Sequence, residues 1–287
     1  MRTDTAARDG ALVVPAPAKV NLFLHVVGRR DDGYHRLESL FALVDLADTL
    51  TLTLDRSGTI ARVNDVDGVP ASDDLAMRAA QLLKRESGTP LGVSIHVRKR
   101  IPLGSGLGGG SSDAASVLLA LNRLWGAALS RNDLAALGLR LGADVPFFVH
   151  GENAFVSGAG EHVQPVSLPR RWLVLAFPAT HVPTAAIFAS SQLTRSTASA
   201  KISVFSESYG RNDLEPVAVS RYAEVSRAIT ELGRIVPGAR MSGSGAAIFA
   251  ACDSEHAARH AVSALRETIA ARAVATLARH PLSGFAR

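Results

Sequence analysis

The densest run of chemistry-bearing residues is PLGSGLGGGSSDAA, residues 102–115. Five glycines (Gly104, Gly106, Gly108, Gly109 and Gly110) lie between a strand-like and a helix-like segment. Without Cβ atoms in the way, such a loop can turn successive N–H groups toward a ligand. The helix behind it opens with Ser111 and Ser112, whose hydroxyls can cap it or donate to an anion. Its free N–H groups and dipole favour negative charge. The pattern predicts a phosphate cradle; a hinge or a tight packing turn is the plainer alternative. A Walker loop needs Lys-Ser/Thr after its last glycine, and none stands here. Gly104, Gly106 and Gly109 formally meet the dinucleotide fingerprint, but no strand ending in an acidic residue follows about 20 residues on. This leaves an NAD(P)-dependent oxidoreductase as the rival enzyme. The spacing also fits the protein-kinase loop, but HRD and DFG are absent. Lys99, just upstream, suits a nucleotide tail.

Three other segments hold groups that could act on a ligand. Lys19 sits between prolines and a strand in PAPAKVNLFLHVV. The turn Asp32-Gly33-Tyr34-His35 presents a phenol ring and an imidazole together, which suits ring stacking with hydrogen bonding. A hairpin turn with a packed tyrosine is the plainer reading. Asp144, in LGADVPFFVHG, is a candidate base or a turn former. Gly243 and Gly245 precede a strand, where they can approach a ligand or turn tightly.

The elements that must position these groups follow from periodicity. Strands are predicted over 20–27, 41–46, 51–56, 59–63, 93–97, 153–157 and 172–177. Helices are predicted over 73–88, 111–125 and 130–140, after Pro183, and over 213–218 and 220–233, with one more helix and strand at the end. Residues 194–208 are Ser/Thr-rich and read as a mobile stretch. Strands and helices mix without βαβ alternation, which predicts an α+β fold. The division expected is a tail over 1–14, an N-terminal unit over 15–165 and a C-terminal unit over 166–287.

Composition removes whole classes. Hydrophobic residues are 47% and charged residues 20% of 287, enough apolar mass for a core and against a disordered chain. One cysteine, Cys252, forms no disulfide framework and no cysteine-based zinc cluster. The net charge of +5 is spread along the chain, which argues against a nucleic-acid protein and fits a small anionic substrate. No apolar run reaches the length of a membrane span, so the expectation is a cytoplasmic protein.

In this order, PAKVNLFLHVVGRRDDGYHRLESLF, IPLGSGLGGGSSDAASVLLALNRLW, LGADVPFF and SGSGAAIFA resemble the motifs of the GHMP kinase superfamily. The resemblance covers nearly the whole chain after residue 14. It is most similar to the branch that phosphorylates the 2-hydroxyl of 4-diphosphocytidyl-2-C-methyl-D-erythritol in the non-mevalonate route to isoprenoids. The Pro-Ala-Lys opening and the Gly-Tyr-His turn discriminate most, because other GHMP kinases share mainly the glycine loop. The resemblance implies a two-lobed fold with the active-site cleft between lobes. It makes Asp144 the base and Lys19 its catalytic partner. Pro102, Leu103, Gly104, Ser105, Gly106, Leu107, Gly108, Gly109, Gly110, Ser111 and Ser112, with Lys99, match the ATP site. Tyr34 and Phe188 match rings that sandwich a cytosine, His35 the residue that reads its edge, and Asn21 and Thr184 polar positions on the substrate side. Mg2+ is implied as a companion of ATP, with no protein ligand assigned. The expected partner is a small molecule, not nucleic acid or a membrane, and the expected state is a monomer or weak homodimer. Ser242 and Ser244 stand where the family commonly has Thr. Asp74 stands where it often has Asn near the adenine.

Overall fold

The computed structural model describes residues 10–31, 33–200 and 210–287. Asp32 and residues 201–208 of the expected mobile stretch lie outside the described residues. Two long antiparallel strands form the frame, β1 (Ala11–Arg29) and β2 (His35–Asp55). Both are rich in Val, Leu, Ala and Phe, and most of their middle is buried on both faces. The hairpin turn between them closes with Arg30 N–H to Tyr34 O at 2.7 Å, and Gly33 supplies a φ of +88°. β1 shifts register against β2 at Pro17/Lys19, Asn21/Phe23 and Val26/Gly28. Each shift bends the strand and re-aims its side chains.

The break expected between 46 and 51 does not exist, because β2 runs unbroken through Asp48. The Asp48 carboxylate is buried and satisfied: it accepts from the Arg100 and Ile101 N–H groups and from Lys99. A polar residue that reads as a turn is here a brace for the chain entering the glycine loop. The tail expected over 1–14 is also shorter. Ala11–Val14 pair with Leu50–Thr53, and Leu12 and Val14 join the core.

The far half of β2 pairs with β4 (Gly92–Arg98), and the near half pairs with β5 (Ala154–Gly158). β3 (Ile60–Arg62) and β6 (His162–Pro165) complete this sheet at its two edges. Helices α1 (Leu75–Ser87), α2 (Gly109–Leu124), α3 (Arg131–Leu139) and α4 (Val145–His150) pack with it around one core. The second sheet has the order β10-β7-β9-β8, made of β7 (Trp172–Phe177), β8 (Arg240–Met241), β9 (Ile248–Cys252) and β10 (Ala270–Ala275). With it go α5 (Thr184–Phe188), α6 (Glu215–Arg221), α7 (Ala223–Ile235) and α8 (Glu255–Leu265). Leu277, Leu282, Phe285 and Ala286 return to the first core, held by Arg131 hydrogen bonds to the carbonyls of Ser283 and Ala286. The end of the expected 166–287 unit therefore packs with the other lobe.

A third apolar cluster joins the sheets. Val20, Ala42 and Val44 of β1 and β2 meet Leu173, Leu175, Phe249 and Val274 of the second sheet. Ile101 and Leu107 belong to this cluster. The glycine loop is thus pinned at both ends to the seam between lobes.

Candidate active site

A cleft of about 950 Å3 opens over that seam, lined from both lobes. Lys19 sits at its base. The bulge after Pro17 frees its N–H from the ladder, and it donates to Leu107 O at 3.0 Å. The buried ammonium donates to Asn21 Oδ1 at 2.5 Å, lies 4.5 Å from the centre of the Phe41 ring and 3.5 Å from Asp144 Oδ2. Burial pulls its pKa below the ordinary lysine value, and the Asp144 carboxylate opposes that pull.

Asp144 stands at the N-terminus of α4, where Pro146 sets the first turn. Its side chain makes no capping hydrogen bond, and the turn before it closes through backbone, Val145 N–H to Gly142 O at 3.1 Å. The carboxylate is therefore not used as a turn former and is free to meet a ligand in the cleft. Asn21 is used at every polar atom. Its amide donates to Ser39 Oγ at 2.8 Å, its backbone N–H donates to Ser242 Oγ at 3.1 Å, and its side-chain oxygen Oδ1 accepts from the Lys19 ammonium. It orients Lys19.

The glycines of the two loops serve each other. A Cβ on Gly106 would overlap the Ser242 carbonyl oxygen, and one on Gly243 would press on Gly106 O. Ala247 N–H donates to Ser105 O at 3.0 Å across the same contact. The 240–250 segment from the second lobe thus locks the glycine loop. Gly108 is the N-cap of α2 in a left-handed conformation, and a Cβ there would come within 3.3 Å of the Lys19 stem. The helix N-terminus therefore lies against the Lys19 stem. Its first turn contains Gly109, Gly110 and Ser111.

Two expected ligand contacts are corrected. Ser112 does not face an anion, because its buried hydroxyl donates to Pro17 O at 2.6 Å and ties α2 to β1. Lys99 is not a free cation. Its ammonium bridges Asp48 Oδ2 at 2.5 Å and Asp113 Oδ2 at 2.7 Å beneath Gly109. Two buried carboxylates sharing one ammonium leave an excess negative charge. Burial and the neighbouring Asp48 push the Asp113 carboxyl up to about 8, while the pair of acids raises the Lys99 pKa. Lys99, Pro102 and Leu103 line a second hollow of about 450 Å3 with Val66 and Val97. Asp74 caps α1 through Ala76 N–H at 2.9 Å and pairs with Arg62 at 2.8 Å.

At the other end of the cleft Tyr34 is 68% exposed and lines its wall. His35 stacks on Phe188 with centroids 5.0 Å apart, and Thr184 Oγ1 meets Ser244 Oγ at 2.7 Å. Sequence reasoning missed His181, against which Gly104 packs, as well as Phe41, Ser39, Asp113 and Arg195. Only Asp113 carried a signal, as the one acid in the first turns of α2.

Residues 74–152 match the N-terminal domain of GHMP kinases, and residues 195–271 match the GHMP kinase C-terminal domain. A 4-diphosphocytidyl-2-C-methyl-D-erythritol kinase of Thiobacillus denitrificans is 55% identical over 271 residues, covering 94% of this chain and 97% of that protein. The protein of the same name from Cupriavidus metallidurans is 50% identical, covering 95% of each. A crystal structure of 4-(cytidine 5'-diphospho)-2C-methyl-D-erythritol kinase superposes with a TM-score of 0.81 at 38% identity, over 92% of this chain and 99% of that one. A homoserine kinase from Cytophaga hutchinsonii, at 19% identity and a TM-score of 0.70, shares the fold over 96% of this chain and 97% of its own. No helix among the described residues is long and apolar enough to cross a membrane. With a cleft at the seam of two α+β lobes and full-length relatives of one kind, the chain belongs to the GHMP kinase family of ATP-dependent small-molecule kinases.

Proposed function

We propose that the chain transfers the γ-phosphoryl group of ATP to the 2-hydroxyl of 4-diphosphocytidyl-2-C-methyl-D-erythritol. The observation that carries the reading is the Lys19–Asp144 pair, 3.5 Å apart, with the Lys19 stem packed against Gly108, the N-cap of α2. The ATP phosphates rest on the N–H groups of Gly109, Gly110 and Ser111. The acceptor hydroxyl gives its proton to Asp144 as its oxygen bonds the γ-phosphorus, and the bond to the leaving ADP oxygen breaks. The Lys19 ammonium pairs with the Asp144 carboxylate and offsets charge gathering on the transferred group. Mg2+ arrives as part of the Mg-ATP substrate. The hollow beside Pro102, Leu103 and Lys99 receives the adenosine end. Tyr34, His35 and Phe188 take the cytosine, with Thr184 on the sugar-alcohol side. The identity of the full-length relatives favours this acceptor over other GHMP substrates and over the dinucleotide reading. Both substrates are charged cytoplasmic metabolites, and the enzyme works there as a monomer or weak homodimer.

Mixing the protein with Mg-ATP and the cytidylyl substrate and following phosphorus NMR tests the reading. A new phosphomonoester on the methylerythritol unit is the expected result. ATP binding without that product refutes this acceptor.

A further inference from the structure

Arg195, in the segment after α5, reaches the cleft through His35. Its Nε donates to His35 Nε2 at 3.1 Å. Three of its four other N–H groups donate to backbone carbonyls: Ser190 at 2.7 Å, Phe188 at 3.1 Å and Leu193 at 3.2 Å. These bonds fix the guanidinium in place. A guanidinium has only donors and keeps its charge in proteins. The ring nitrogen that receives it must therefore present a lone pair. His35 Nε2 carries no proton, and the single N–H of the neutral ring sits on Nδ1. Nδ1 has no hydrogen-bond partner among the described residues, and His35 lines the cleft. The stacked Phe188 is tied through its own carbonyl to the same guanidinium, so one side chain holds both rings.

We propose that Arg195 is a positioning residue that holds His35 as the neutral Nδ1–H tautomer and thereby makes the cleft select cytosine over uracil. The inference rests on reading the acceptor as a cytidine diphosphate derivative. N3 of cytosine is a lone-pair acceptor, whereas N3 of uracil carries a hydrogen. A fixed Nδ1–H donor matches the first and opposes the second. An imidazole free to exchange tautomers can turn an acceptor toward uracil, and the preference weakens. The charged groups facing His35 act together. Arg195 and, opposite it on β1, Arg29 add to partial burial in lowering its pKa, so the ring stays neutral near pH 7.

Proton–nitrogen spectra of isotope-labelled histidine, with His35 assigned by a His35→Gln variant, read the tautomer in the free enzyme. The expected state at about pH 8 is neutral with the proton on Nδ1. In Arg195→Met the ring exchanges tautomers and titrates closer to the ordinary histidine value, about 6.5. Turnover of the cytidine- and uridine-diphosphate forms of the substrate reads the consequence. The kcat/KM ratio favouring cytosine falls about tenfold in Arg195→Met, the cost of one mismatched hydrogen bond, with the KM for ATP little changed. The KM of that variant for the cytidylyl substrate falls as pH drops toward about 6, because a protonated ring again presents Nδ1–H. A merely structural loss raises KM equally at every pH. Arg195→Lys keeps a donor-only cation and retains more of the selectivity. A protonated Nε2 in the wild type overturns the proposal without need of any variant. An unchanged ratio in folded Arg195→Met overturns the selectivity. Turnover of neither substrate by the wild type overturns the acceptor reading and the selectivity with it, while the spectrum still decides the tautomer.

Discussion

Asp144→Asn keeps the shape of the side chain and removes one charge. The Lys19 ammonium, 3.5 Å away, keeps only Asn21 Oδ1 and the face of Phe41. At an effective dielectric of about 20 the lost attraction is about 5 kcal/mol gross. Asp144 is 30% exposed, so water already screens part of it, and the net loss of stability at neutral pH is about 2–4 kcal/mol. The loss depends on pH with a definite sign. Burial holds the Lys19 pKa below its ordinary value, and without the carboxylate it falls further. A lysine with a lowered folded pKa binds fewer protons folded than unfolded between the two values. Stability therefore rises with pH across that window. Toward the unfolded lysine value, about 10.4, Lys19 is discharged in both proteins and the deficit of the variant shrinks. Turnover falls about 10²–10⁴-fold for loss of the base. The KM for ATP is expected to move little, because the proposed phosphate site is the first turn of α2 and not Asp144. Steady-state ADP release at saturating substrates, with urea melts at about pH 7 and about pH 9.5, reads both effects. Undiminished kcat refutes the base, and a deficit independent of pH refutes the electrostatic account of Lys19.

Gly106→Ala forces a methyl against the Ser242 carbonyl at a φ of +74°. Left-handed strain of about 1 kcal/mol and overpacking of about 1–3 kcal/mol lower the urea midpoint. Gly110→Ala, inside α2 with its nearest contact at 3.5 Å, stabilises by about 0.5–1 kcal/mol and raises that midpoint. Equal effects at the two sites would remove the interlocked loops. Asp113, with its carboxyl pushed up to about 8, binds more protons folded than unfolded above the ordinary carboxylate value. Its favourable contribution is full below about pH 4 and is lost as pH rises through about 8. Asp113→Asn therefore gains stability relative to wild type over that window, and a difference flat with pH in paired urea melts counts against a raised Asp113 carboxyl in the Asp48–Lys99–Asp113 cluster. Tyr34→Ala raises the KM for the cytidylyl substrate about tenfold, the worth of one ring stacked on a base, with a smaller change for ATP. An unchanged KM removes Tyr34 from the pyrimidine site.

Much of the element pattern was legible, because period-2 apolar runs and glycine punctuation report local geometry. The segment 172–177 is strand β7, and 93–97 lies within β4. Two of the failures are instructive. Ala47-Asp48 reads as a break because aspartate disfavours strands, yet the chain entering the glycine loop supplies two N–H groups and an ammonium that satisfy it 51–53 residues later. Polarity that looks like an interruption along the chain is brace chemistry across it. The same holds at the start of α2. Ser111 and Ser112 look like the cap, but Gly108 takes the left-handed turn and the helix begins two residues earlier.

Residue type was readable at the candidate site; partnership was not. Lys19 and Asp144 each have a bland reading alone, as a solvated lysine and a turn former. What gives them chemistry is a bulge that turns one inward and a proline-started helix that leaves the other uncapped. Lys99 and Ser112 show the converse, since both have the right type and spacing for a phosphate and both are spent on the scaffold. The glycines divide the same way. Gly109 and Gly110 sit in the open first turn of α2, whereas Gly106 is required by a serine carbonyl 136 residues away. A glycine-rich motif thus combines two demands, room for the ligand and room for the other lobe. Gly106 joins the glycine loop to the second lobe through Ser242. The Gly106 and Gly110 substitutions separate the two demands, because a methyl meets the Ser242 carbonyl at Gly106 and has room at Gly110.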